Sequence, residues 1–217
     1  GVFISSHAER LYVTTDTGEF LTPERLLLTM IMLMDMTAEK PQKIYVPAAL
    51  PTIFDNTLKK TQLIRGKFVG LKANFIRDFD LVADLTSEFI FPEHSLGPDG
   101  MYTAIKGLEM LQKLHMKLSE VVAKIPAYHY TYNAINCPTD KKGYLMRKMS
   151  EEAMSVEASY LDGVKISFPD KGWVLMLPDQ YSPNIHLFVE ANSKKNMEAL
   201  SKDFQNKIHE WIEDTAV

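Results

Sequence analysis

The chain has 217 residues, 46% of them apolar and 24% charged, with a net charge of −4 and a sequence pI near 5.9. That is enough for one large domain or two small ones with an apolar core, and its scattered Lys and Arg exclude the basic stripe of a nucleic-acid surface. The single cysteine, Cys137, excludes an internal disulfide framework and fits a reducing cytoplasm, while the densest apolar run, Leu26 to Met36, is shorter than the ~20 residues that span a bilayer.

No secretory signal is read at the start of the chain. The expectation is a soluble, cytoplasmic protein with no membrane or nucleic-acid partner.

Val2-Phe3-Ile4 and Leu11-Tyr12-Val13 read as short strands joined through Ser5–Arg10, with a turn following at Asp16-Thr17-Gly18. Thr22-Pro23-Glu24 carries a hydroxyl N-cap, a proline at the first helical position and an acid in the first turn. The helix it opens, Pro23 to about Met36, is apolar around most of its circumference, so both sides should be covered. Ile44-Tyr45-Val46 reads as a buried strand, Pro51 to Lys60 as a helix and Leu63-Ile64 as a strand. A loop is expected around Phe68–Gly70, then a helical stretch to about Asp78. Glu88 to Phe91 reads as a strand ended by Pro92, and Gly97-Pro98-Asp99-Gly100 starts a helix with Met101, Ile105, Leu108 and Leu111 on one stripe. Strands alternating with helices of this length predict βαβ units in a three-layer α/β/α domain with a mainly parallel sheet.

Ile125 to Tyr130 reads as a linker turning into a strand, with Tyr128, Tyr130 and Tyr132 on one tyrosine-rich face. Thr139 or Asp140 is expected to cap a helix to about Met154. Gly163–Phe168, Trp173–Leu177 and Ile185–Glu190 alternate as strands, the first two joined by Pro169-Asp170-Lys171-Gly172. Met197, Leu200, Phe204, Ile208 and Trp211 recur at steps of three and four, as on an amphipathic helix. This second half predicts a small α+β domain with an antiparallel sheet. The twelve methionines read as core packing.

Three stretches fall in the order seen in the α-D-phosphohexomutase family (phosphomannomutases and phosphoglucomutases). FLTPERLLL resembles the start of that family's third domain, EFIFPEHSLGPDGMYTAIKGLEML the stretch after its sugar-recognition loop, and DGVKISFPDKGWVLMLPDQYSPNIHLFVEA the core of its fourth domain. The resemblance implies residues 1–20 as the terminal hairpin of domain 2, 21–125 as domain 3 and 126–217 as domain 4. It implies a C-terminal half, with the phosphoserine lying in an absent first domain.

The remaining family sites are checked by position. The magnesium loop, Asp-x-Asp-x-Asp-Arg, aligns with Ser5, His7 and Glu9 followed by Arg10. A hard cation wants several converging carboxylates, and one of three remains, so no metal or other cofactor is expected. The sugar-reading loop, Gly-Glu-x-Ser-Gly-His, aligns with Ala83–Glu88. Its glutamate falls on Leu85 or Asp84, depending on a one-residue choice, and Thr86 keeps a hydroxyl. The phosphate clamp, Arg-Pro-Ser-Gly-Thr-Glu-Pro, aligns with Leu177-Pro178-Asp179-Gln180-Tyr181-Ser182-Pro183. Its arginine has become leucine, and Asp179 brings a negative charge to where a phosphate dianion would approach. Arg10, Asp84, Thr86, Asp179 and Tyr181 are therefore vestigial substrate-binding positions, and no catalytic residue is assigned.

Ala8-Glu9-Arg10, NCPTDKKGYLMRKM and Leu177-Pro178-Asp179 further resemble the mutase-like C-terminal region of bacterial mannose-1-phosphate guanylyltransferase-type proteins. That resemblance implies a degenerate mutase module serving a sugar nucleotidyltransferase, with the other domains of its parent chain and a weakly bound sugar phosphate as partners. The competing expectations are half of a working phosphohexomutase and a pure interaction domain.

Overall fold

The computed structural model describes residues 1–68, 70–154 and 156–214. The chain divides into two compact units, residues 1–126 and 127–217.

In the first unit, β1 (Val2–Ile4) and β2 (Leu11–Val13) form an antiparallel hairpin. Helix α1 (Pro23–Thr37) buries Leu26, Leu27, Leu28, Ile31 and Leu33 around its circumference, as its composition requires. Thr22 occupies the N-cap position without capping, because its hydroxyl donates to the Glu24 carboxylate instead. A four-stranded sheet has the order β4 (Thr61–Gly66), β3 (Gln42–Pro47), β5 (Leu81–Ala83), β6 (Phe89–Ile90). β3 runs parallel to both β4 and β5, and β6 closes the edge antiparallel. Alternation sends Tyr45 to one face, where it meets Phe68, Phe75 and Phe79, and Ile44 and Val46 to the other, both fully buried.

Two further expectations for this unit fail. Pro51 to Lys60 forms turns rather than a helix. Arg65 holds the start of the segment, donating to the Leu50 carbonyl just before it at 2.6 Å and to the Pro51 carbonyl at 2.8 Å, while its guanidinium also holds the Asp55 carboxylate. At the other end of the segment the buried Asp35 carboxylate accepts the N–H groups of Lys59 and Lys60. The stripe on α3 (Gly100–Leu114) is the second difference. Met101, Ile105 and Leu108 are exposed, and the buried residues are Gly100, Thr103 and Met110. The small face of α3 lies against α1, with Gly107 beside Met30, which turns the bulky stripe outward. Asp99 caps α3 by accepting from Tyr102 N–H at 2.8 Å. The helical stretch before Asp78 is the single turn α2 (Ala73–Ile76), and α4 (Leu118–Val122) follows α3. Of the loop expected around Phe68–Gly70, Val69 lies outside the described residues.

The second unit is a five-stranded, wholly antiparallel sheet in the order β7 (His129–Asn136), β11 (Asn184–Ala191), β10 (Gly172–Pro178), β9 (Val164–Phe168), β8 (Glu157–Ser159). Helices α5 (Lys142–Ala153) and α6 (Lys194–Asp214) pack on one face over Ile135, Val164, Ile166, Val174, Met176, Ile185, Leu187 and Val189. The opposite parity places Tyr132, Trp173, His186 and Phe188 on the other face. Neither Thr139 nor Asp140 caps α5. Residues Thr139–Lys141 form a 3-10 turn, and Lys141 occupies the N-cap position without a side-chain bond.

Among the described residues, no helix is long and apolar enough to cross a membrane.

Candidate functional site

Two of the three aligned loops lie in the first unit, and the fold joins them. The hairpin turn is closed by Ser5 N–H on the Arg10 carbonyl at 3.0 Å and by Arg10 N–H on the Ser5 hydroxyl at 3.1 Å. Ala8 takes a left-handed conformation, with φ 60°. Its carbonyl accepts from Gly100 N–H at 2.7 Å, which docks the hairpin tip on the start of α3. A Cβ at Gly100 would lie 3.0 Å from the Arg10 carbonyl oxygen, a tight contact that glycine avoids. Arg10 then reaches Glu88, Nε to Oε1 at 2.9 Å, while Leu11 N–H donates to the Ser87 carbonyl.

The second loop turns inward. Asp84 accepts from Thr86 N–H at 2.8 Å and from the Thr86 hydroxyl at 2.7 Å. Burial raises the Asp84 carboxyl above the ordinary carboxylate range, with the Thr86 bonds opposing that shift. Asp84 and Thr86 thus spend their polar atoms on each other, and Arg10 spends its charge on Glu88.

The third loop, after β10 in the second unit, is organised around Asp179. Its Oδ1 accepts from Tyr181 N–H at 2.7 Å and Ser182 N–H at 2.9 Å. Its Oδ2 accepts from the Ser182 hydroxyl at 2.5 Å and lies 3.1 Å from His186 Nε2. These donors, the Ser182 hydroxyl foremost, hold the carboxyl far below the ordinary carboxylate range. Lys142, nearly buried on α5, fixes the turn from behind by donating to the carbonyls of Asp179 and Ser182, each at 2.6 Å. Tyr181 contributes only its backbone here, its side chain being 93% exposed.

No family model matches the chain. A probable phosphoglucosamine mutase from Methanosarcina acetivorans is 26% identical over 198 residues, covering 89% of this chain and 44% of the relative. Another, from Methanopyrus kandleri, is 24% identical over 221 residues, covering 99% and 48% respectively. A phosphoglucomutase/phosphomannomutase family structure from Burkholderia thailandensis superposes with a TM-score of 0.74 at 19% identity, over 97% of this chain and 46% of that one. The chain is thus similar to a C-terminal-like region of α-D-phosphohexomutase superfamily proteins, and its fold matches theirs. It spans about half the length of the curated relatives it matches.

The hairpin donors do not fit a hard dication. Glu9 is the one carboxylate of the aligned set, the Ser5 hydroxyl is used within the turn, and His7 Nδ1 lies 3.2 Å from the Ser6 hydroxyl. Among the described residues no group of three or more His, Cys, Asp or Glu side chains converges on a metal position.

Reading the sequence missed Glu88, Ser182, Lys142, Tyr132 and His186. Alternation along β7 and β11 places Tyr132 and His186 on strand faces, but no residue pattern declares that the two strands are neighbours. Glu88 and Lys142 sit far in sequence from the groups they bind, so only the folded chain brings them in.

Proposed function

We propose that the chain is a catalytically degenerate phosphohexomutase-like module whose phosphate turn is filled by its own carboxylate. The observation that carries this reading is the Asp179 cluster. Two backbone N–H groups and a hydroxyl, the donor set that would cradle an anion, converge on Asp179. An incoming phosphate would have to displace a bound carboxylate and approach without the guanidinium that Leu177 replaces. One missing charge-assisted hydrogen bond costs about 1.5–3 kcal/mol, and each 1.4 kcal/mol is about tenfold in affinity. Binding through this turn is therefore weakened by at least one to two orders of magnitude.

The occurrence of both Ala8-Glu9-Arg10 and Leu177-Pro178-Asp179 supports a parent of the sugar nucleotidyltransferase type, in which this module contacts the other domains and holds a sugar phosphate weakly. A nucleotidyltransferase signature in the adjoining reading frame is the expected finding. The names of the curated relatives favour a second reading, a contribution to phosphoglucosamine mutase activity in the parent protein. One assay separates the two. The parent protein is tested for hexosamine or hexose 1-phosphate to 6-phosphate conversion with a bisphosphate activator, beside calorimetric binding of the same sugar phosphates to this chain. The degenerate reading expects no conversion and binding no tighter than about millimolar. The double variant Leu177→Arg/Asp179→Ser should gain binding without gaining turnover. Conversion at about 1 s⁻¹ or faster, the ordinary enzyme range, overturns the reading.

A further inference from the structure

His186 stands between two hydrogen-bonding partners on the sheet face opposite the helices. It pairs with Leu177 on β10 and Ala134 on β7, which carry no charge. Asp179, two residues beyond Leu177, and Tyr132, two residues before Ala134, are its diagonal neighbours. His186 Nε2 lies 3.1 Å from Asp179 Oδ2, and Nδ1 lies 2.9 Å from the Tyr132 hydroxyl. The other ionisable groups of the surround are Lys142, held on the carbonyls of Asp179 and Ser182, and Tyr181, which is turned to solvent.

The donor rules fix what a proton does in this chain of groups. Asp179 is ionised and accepts only, so Nε2 carries a hydrogen whether the imidazole is neutral or charged. The nitrogen that gains and loses the proton is Nδ1. In the neutral ring Nδ1 is a lone pair, and Tyr132 must donate its hydroxyl hydrogen inward. In the cation Nδ1–H is a donor, and the Tyr132 oxygen must accept. Its own hydrogen is then released to point outward. The phenol stays protonated throughout, because burial and the Asp179 charge push its pKa up. One proton enters from solvent at Nδ1, and no other group changes charge.

We propose that Asp179, His186 and Tyr132 form a proton-operated hydrogen-bond switch: when His186 is protonated, the Tyr132 hydroxyl turns from donating to His186 to accepting from it, and so turns from an acceptor into a donor toward solvent. Tyr132 is 49% exposed, so the reversal is presented at the surface. The neutral form offers oxygen lone pairs to an N–H or O–H group. The protonated form offers an O–H backed by a cation, the chemistry that receives a phosphate, carboxylate or carbonyl oxygen. The switch rests on Asp179 being held in its turn, as in the proposed function, and not on the loss of catalysis.

The test follows two signals as the solution is acidified from about pH 8 to about pH 5. Nitrogen-resolved NMR reads the His186 tautomer, and the tyrosine Fermi doublet in the wild type minus Tyr132→Phe Raman difference reads donor against acceptor. The expected result is an Nε2–H neutral tautomer and a doublet that inverts with the same midpoint as the ring. His186→Gln should abolish the inversion while leaving the amide spectrum of the second unit in place. An Nδ1–H neutral tautomer, or a doublet indifferent to His186 titration, overturns the switch. The wild-type tautomer decides the matter even if a variant fails to fold. Neither signal depends on sugar-phosphate binding or turnover, so this proposal and the degenerate reading can fail separately.

Discussion

Asp179 and Asp84 show how one residue type acquires opposite roles from its surroundings. Both accept hydrogen bonds from a hydroxyl two or three residues ahead. For Asp84, burial outweighs those bonds and favours the protonated form; for Asp179, the donors outweigh burial and favour the carboxylate. The consequences for stability have opposite signs. Asp179, with its folded pKa depressed, contributes stability that is complete above its ordinary value of 3.8 and is lost as pH falls through that range toward the folded value. Asp84, with its folded pKa raised, contributes stability that is complete below its ordinary value of 3.8 and is lost as pH climbs through its higher folded value. The melting temperature of residues 127–217 should therefore fall on acidification below about pH 4, and Asp179→Ala should flatten that slope while lowering stability at neutral pH by about 1–3 kcal/mol. Thermal melts of the two proteins across that range check it, and an unchanged slope in the variant would remove Asp179 from the account.

At the scale of an element, the segment from Pro51 to Lys60 shows a local preference overruled from a distance. Its first carbonyl finds Arg65 on β4 and its last amides find Asp35 on α1, while local turns serve the residues between, so the helical ladder is not needed. Arg65 is only 18% exposed at its side chain. Replacing it with alanine strands the Leu50 and Pro51 carbonyls and leaves Asp55 unpaired, a loss of about 2–3 kcal/mol. Arg65→Lys should recover only part of it, because one ammonium cannot reproduce the fork that serves two carbonyls and a carboxylate. Urea unfolding of the pair measures both, and an Arg65→Lys variant as stable as the wild type would show that charge alone is at work. The hairpin teaches the same lesson in reverse: its strands are local, but its position depends on Gly100, Glu88 and Ser87 receiving it.

Over the whole molecule, two units each carry a core, one around Tyr45, Ile76, Phe79 and Val82 and the other between the antiparallel sheet and α5 and α6. Separate cores joined through a short connector are expected to unfold separately. Limited proteolysis should cut between residues 120 and 140, and residues 127–217 expressed alone should give a dispersed amide spectrum. A chain that resists cleavage there and melts in one cooperative transition would mean that the units fold as one.

What the sequence determined by itself is what depends on neighbours a few residues apart. Apolar spacing marks α1 and α6, alternation marks β9, β10 and β11, and Pro169-Asp170-Lys171-Gly172 marks the turn between two of them. The resemblance of ordered motifs adds the phosphohexomutase fold, which the superposition bears out. Tertiary structure alone decided the partners. Nothing in the order of residues says that β7 lies beside β11, and without that pairing Tyr132 and His186 have no reason to meet. Nor does the aspartate in Leu177-Pro178-Asp179 declare whether it faces a ligand or its own turn. The folded chain directs it inward, because two amides, a hydroxyl and an imidazole converge within hydrogen-bonding distance of its carboxylate.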